Sequence, residues 1–174
     1  MPESIQEMLT GGHANSLGRT LEVVELVLAD SSRLDELFNC YFCDDAVVRL
    51  RTSNALKRIE KAEHEWLVPY IKRLLDEVSK IDQASTQWTM ANLFQALADD
   101  MSPDELVAAK SVLKRNLTAS QDWIVLNETM RTLSEWARSD DELKPWLLPE
   151  LGRLAKDARK SVSGRAKKLA ATLS

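Results

Sequence analysis

Two cysteines three residues apart, in Cys40-Tyr41-Phe42-Cys43, are the first pattern with reactive potential. A CxxC pair does redox chemistry when a helix N-terminus lowers the thiol pKa, and it holds zinc when two further ligands complete a tetrahedron. Here the pair falls at the C-terminal end of an expected helix, Ser32 to Phe42, whose negative end disfavours thiolate. No second Cys pair follows, and His13 and His64 are far apart. Buried structural thiols are the expected role. His64 lies between Glu63 and Glu65 at a helix start and reads as solvated or capping. No Gly-rich phosphate loop, GxSxG elbow or HExxH occurs, so no catalytic residue, cofactor or metal is assigned, and the chain reads as non-enzymatic.

Two other sets of residues could serve binding. Trp88-x-x-x-Asn92 places an aromatic and an amide one turn apart, a combination that anchors interfaces. The spacing returns in Trp123-x-x-x-Asn127, where Trp123 sits about 60° from Leu126 and is expected to point toward the core. At the far end, residues 152–174 carry seven Lys/Arg against Asp157, a local +6 in a chain of net charge −4. Arg159, Lys160, Arg165, Lys167 and Lys168 could meet phosphates, or could form a polar cap over a last apolar face.

The elements that must position these groups are helices. Five Gly and five Pro leave little turn chemistry for short strands, while Leu, Ala, Glu, Lys and Arg abound. Apolar or small residues at intervals of four, three and four share one helix face in Leu17, Leu21, Val24 and Leu28. The frame returns as Val48, Thr52, Ala55, Ile59, then Thr86, Met90, Leu93, Leu97, then Leu126, Met130, Leu133, Ala137, and last Val162, Ala166, Leu169, Leu173. Between the frames lie second helices: Ser32 to Phe42, Glu65 to Val78, Ser102 to Leu117 and Glu142 to Ala158. One stretch, WLVPYIKRLL from Trp66, comes back as WLLPELGRLA from Trp146, as expected of a repeated supersecondary unit.

Helix starts carry their own marks. Ser102-Pro103-Asp104-Glu105 is a capping box with Pro at the first helical position, Ser139 to Glu142 repeats the box, and Ser32 to Asp35 is a weaker version. The pairs Asp44-Asp45, Asp99-Asp100 and Asp140-Asp141 fall at helix junctions and read as caps, not metal ligands. Residues 1–14, ending in Gly11-Gly12, form a short helical or disordered lead-in, and residues 15–174 a single domain.

No apolar run exceeds four residues, so no membrane helix is expected, and the polar N-terminus is unlike a secretory signal. With two cysteines and no disulfide framework, the cytoplasm is the expected compartment.

Asp45-Ala46-Val47-Val48-Arg49 with Ala55-Leu56 and Ile59 resembles the second helix of a HEAT repeat. The first helix, with its early Pro, is matched by Pro69, Ile71, Leu74-Leu75-Asp76 and by Pro149, Leu151, Leu154. Val162, Leu169-Ala170 and Leu173 repeat the second-helix pattern, with Ser163 where Arg is usual. The resemblance covers roughly residues 15–173 and implies an αα-superhelix of about four to five antiparallel helix pairs. Its relatives mostly bind macromolecules.

In such a superhelix the face opposite the core frame lines the concave side, which here gives Leu50 and Trp88 flanked by Asn54, Asn92 and Gln95. The Trp88/Asn92 spacing is similar to the Trp/Asn array with which armadillo importin-α proteins hold an extended peptide. The expected function is a scaffold for a protein or peptide partner. The alternative is a nucleic-acid binder of the HEAT-like class, such as a DNA base-repair enzyme, using the basic C-terminal hairpin.

Overall fold

The computed structural model describes residues 2–174 and is all helix, with no strand among them. The eleven α-helices are α1 (Ile5–Leu9), α2 (Thr20–Ala29), α3 (Leu34–Asn39), α4 (Ala46–Ala62), α5 (His64–Leu67), α6 (Ile71–Asp76), α7 (Ala84–Leu97), α8 (Pro103–Ala119), α9 (Trp123–Ala137), α10 (Leu143–Leu154) and α11 (Lys160–Leu173). None is long and apolar enough to cross a membrane. The helices fall into two compact units, one ending at Thr89 and the other beginning at Met90, so that α7 contributes its first turns to one and its last turns to the other.

In the first unit α4 is the central element, packed against α1, α2 and α5. It contains neither Gly nor Pro, and Asp45 caps its start by accepting from Val47 N (2.9 Å) and Val48 N (3.4 Å). Its expected stripe Val48, Thr52, Ala55 and Ile59 is wholly buried, joined by Leu37, Phe38, Leu67 and Leu74 from neighbouring helices. Thr52 is accommodated because its hydroxyl donates to Val48 O at 2.8 Å.

In the second unit α9 has the corresponding place, against α8, α10 and α11. Asp122 caps it, accepting from Ile124 N and Val125 N, and Leu126, Met130, Leu133 and Ala137 are buried. Ser102 and Glu105 form the expected capping box on α8, with Pro103 leading the helix.

Several expectations are corrected. The core face of α2 is Thr20, Val23, Val24 and Val27, whereas Leu17 and Leu21 are 36% and 48% exposed. Leu-Glu-Val-Val-Glu-Leu-Val-Leu carries two overlapping apolar stripes, and packing selects the one led by Thr20, whose hydroxyl is satisfied by Leu17 O. The helix expected over Glu65 to Val78 is broken into α5, a 3₁₀ turn at Val68–Tyr70, α6 and a second turn at Val78–Lys80. Pro69 supplies no N–H to the ladder and clashes with the preceding turn. Pro149, in the matching segment, lies within the continuous α10.

Cap positions shift as well. Asp30, not Ser32, accepts from the backbone at the turn into α3, and Asp140, not Ser139, caps α10 through Glu142 N and Leu143 N. Consequently α10 starts at Leu143, and Ala158, expected at its end, is exposed beyond it.

Candidate binding groove

α4 displays Leu50, Ser53, Asn54 and Lys57 along one face, at the i, i+3, i+4 and i+7 spacing of a helix stripe. The first turns of α7 add Ser85, Trp88 and Thr89 in the same way. With the loop Ala14–Leu17 as third wall, these side chains enclose a groove of about 250 Å³ within the first unit. Three of the residues expected to bind a partner, Leu50, Asn54 and Trp88, therefore line one cavity.

The third wall is fastened by a side chain the sequence reading passed over. Arg51 is 1% exposed, and its guanidinium donates to four backbone carbonyls: Leu9 O (2.7 Å), Gly11 O (2.6 Å), His13 O (3.2 Å) and Ser16 O (3.2 Å). A planar fork of N–H donors suits a loop that turns its carbonyls inward. The loop can wrap this closely because Gly11, Gly12 and Gly18 take positive φ (83°, 77° and 53°). The signal was present in sequence: a cation on the buried side of an apolar stripe, with three glycines upstream.

The groove's polar groups divide into committed and available ones. Ser53 Oγ pairs with the Tyr41 hydroxyl at 2.7 Å, Ser85 Oγ accepts from Gln83 Nε2, and Thr89 Oγ1 donates to Ser85 O. Asn54 Oδ1 accepts from Arg58 Nε at 2.7 Å, which fixes the amide and leaves its NH₂ as a donor. Trp88, half-buried, adds an indole N–H. No Asp or Glu lines the groove.

The other expected binding amides lie in the second unit. Asn92 Nδ2 donates to Glu128 Oε2 (2.7 Å), and Gln95 Oε1 accepts from Thr132 Oγ1 (3.2 Å), so both tie α7 to α9. Trp123, expected to point inward, is 50% exposed as the first residue of α9, where little packs over it.

Of the basic set, Arg159 is engaged by Asp157 (2.9 Å) and by Gln121 O (2.6 Å). That hydrogen bond from Arg159 lowers the Asp157 carboxyl to about 2. Lys160, Arg165, Lys167 and Lys168 are exposed on α11, with Val162, Ala166 and Leu173 on its buried side.

The two cysteines are free thiols in unlike settings. Cys40 is buried and donates to Glu36 O at 3.4 Å, and burial first, then Cys43 and Glu36, pushes its pKa up to about 12. Cys43 is half-buried and contacts Asp45 O.

The class defined by these observations is an all-α protein whose helices carry a side-chain groove in the first unit. The chain matches no family model, no curated protein and no solved structure.

Proposed function

We infer that this chain is a non-enzymatic HEAT-like helical-repeat module that holds a segment of a protein or peptide partner in the groove formed by α4, α7 and the Ala14–Leu17 loop. One observation carries the reading: Trp88, Leu50 and Leu17 offer apolar surface beside the uncommitted donors of Asn54 and Trp88 in a preformed cavity. Anchoring of an interface by a half-buried aromatic flanked by amides needs that combination. Asn92 and Gln95, tied to α9, serve instead to position α7. Two free cysteines fit residence in a reducing compartment such as the cytoplasm.

The test is selection of binding peptides from a random display library against the intact protein. Selected peptides should lose most of their affinity for a Trp88→Ala/Asn54→Ala double variant that keeps its helicity by circular dichroism. Undiminished binding to that variant removes the groove from the function.

A second reading draws on the exposed Lys160, Arg165, Lys167 and Lys168 of α11, which could contact nucleic-acid phosphates. It requires a duplex-DNA gel shift that weakens steeply with salt and disappears when Lys160, Arg165 and Lys168 are neutralised. No shift at low salt eliminates it.

A further inference from the structure

We propose that α2 and α11 are the two halves of a contact between copies of this chain, the outer face of α2 on one copy seating on the outer face of α11 on another. The inference is independent of the groove, whose lining includes no residue of either helix.

The apolar side of the contact is on α2. That helix buries Thr20, Val23, Val24 and Val27 and turns Leu21, Glu25 and Leu28 the opposite way, at the i, i+4 and i+7 spacing of one stripe. Leu21 is 48% exposed, Glu25 is exposed, and Leu28, two turns on from Leu21, is half-buried. A single leucine in water needs no explanation, whereas two in line form a ridge that a partner surface can cover.

α11 carries the matching relief. Val162, Ala166 and Leu173 are buried, and the exposed side runs Lys160, Gly164, Lys167 and Ala171 at i, i+4, i+7 and i+11, with Lys168 beside it. A Cβ built on Gly164 meets nothing within 4 Å, so the surface above it is open. Gly164 and Ala171 stand two turns apart, as Leu21 and Leu28 do, about 10 Å along each axis. Both leucines can therefore drop onto small residues together, with the aliphatic stems of the lysines covering their flanks.

Charge selects a second copy as the occupant. α11 holds four cations, Lys160, Arg165, Lys167 and Lys168, and no carboxylate. Residues 19–30 carry Glu22, Glu25 and Asp30 against Arg19, which is itself spanned by Glu22 (2.8 Å) and Glu3 (2.9 Å). Seating α2 on another α2 sets Glu25 against its own kind, and α11 on α11 sets lysine against lysine. Only the unlike pair brings opposite charges together. Both faces are exposed in the single chain, so the contact joins different copies. One helix face on another buries less than the roughly 1,200 Å² of a standard interface, which makes the association weak and dependent on concentration.

Sedimentation velocity on the full chain tests this, from about 10 μM to about 1 mM protein to bracket weak affinities. In about 0.05 M salt the weight-average mass should climb above that of one chain, and in about 0.5 M salt it should fall back. Glu22→Lys/Glu25→Lys alone, and Lys160→Glu/Lys167→Glu/Lys168→Glu alone, should each weaken association at least about tenfold. An equimolar mixture of the two variants should regain it, because each then offers the other an opposite face, and that recovery also shows both to be folded. Gly164→Leu fills the hollow without changing charge and should weaken association as well. Monomer at every concentration in low salt overturns the proposal, as does a mixture that stays monomeric. Association that neither charge reversal weakens, or that Gly164→Leu leaves unchanged, overturns this seating of the two helices. A protein that never self-associates yet shifts duplex DNA through the three lysines assigns α11 to nucleic acid instead.

Discussion

Gly18 lies so close to the buried guanidinium of Arg51 that a Cβ built on it would stand 2.8 Å from Arg51 Cζ. Glycine also takes φ +53° there, so Gly18→Ala meets both a backbone penalty and a clash. It should cost about 1–3 kcal/mol in urea denaturation. Arg51→Met, which strips four carbonyls of their donor, should cost about 3 kcal/mol or more. Both loosen the same loop, so the double variant should fall short of the sum by about 1 kcal/mol. Additive costs would show that the two residues act separately.

Helix caps give a sharper test of where helices begin. Ser102→Ala removes half of a capping box and Asp122→Ala the cap of α9, and each should lose about 1 kcal/mol. Ser139→Ala, at the position the sequence favours for α10, should change stability by less than about 0.5 kcal/mol because Asp140 makes the cap. Thermal unfolding of the three variants decides it.

Asp140 also gives stability a pH dependence. The hydrogen bond from Lys110 first (2.5 Å), then those from Leu143 N and Glu142 N, hold its carboxyl below the ordinary range. A carboxyl whose folded pKa is depressed contributes fully above its unfolded value and loses that contribution as pH falls through the folded one. Asp140→Asn keeps an acceptor for the cap but loses the charge. It should be about 1 kcal/mol less stable at pH 7 and match the parent once the parent carboxyl is protonated in acid. A gap that persists unchanged below pH 2 would assign the effect to packing.

The CxxC pair should behave as two unrelated thiols. Iodoacetamide at pH 8 should modify Cys43 first, and Cys40, buried with a pKa near 12, should be labelled only on unfolding. Peptide mass mapping over time reads this directly; equal rates in the folded protein would contradict the burial of Cys40.

The helical class and four of the five stripes were legible in the sequence because periodicity reports which side chains share a face. Val48 to Ile59, Thr86 to Leu97 and Leu126 to Ala137 are buried throughout, and Val162 and Ala166 begin a stripe whose Leu169 is half-buried. Where two stripes overlap, as from Leu17 to Leu28, periodicity gives two answers, and only packing against α1 and α4 chooses. Trp123 was misplaced for a related reason: an angle about a helix axis says nothing of whether a neighbour reaches that end of it.

Leu50, Asn54 and Trp88 could be named in advance since each lies opposite a buried stripe on its own helix. What only tertiary structure decided is that the Ala14–Leu17 loop closes a groove over them, and that Asn92 and Gln95 are consumed by α9. Both depend on contacts between residues more than thirty positions apart. Helical patterning is local and survives in one dimension, whereas the partners of Arg51, Asn92 and Gln95 are set by which surfaces meet when the helices pack.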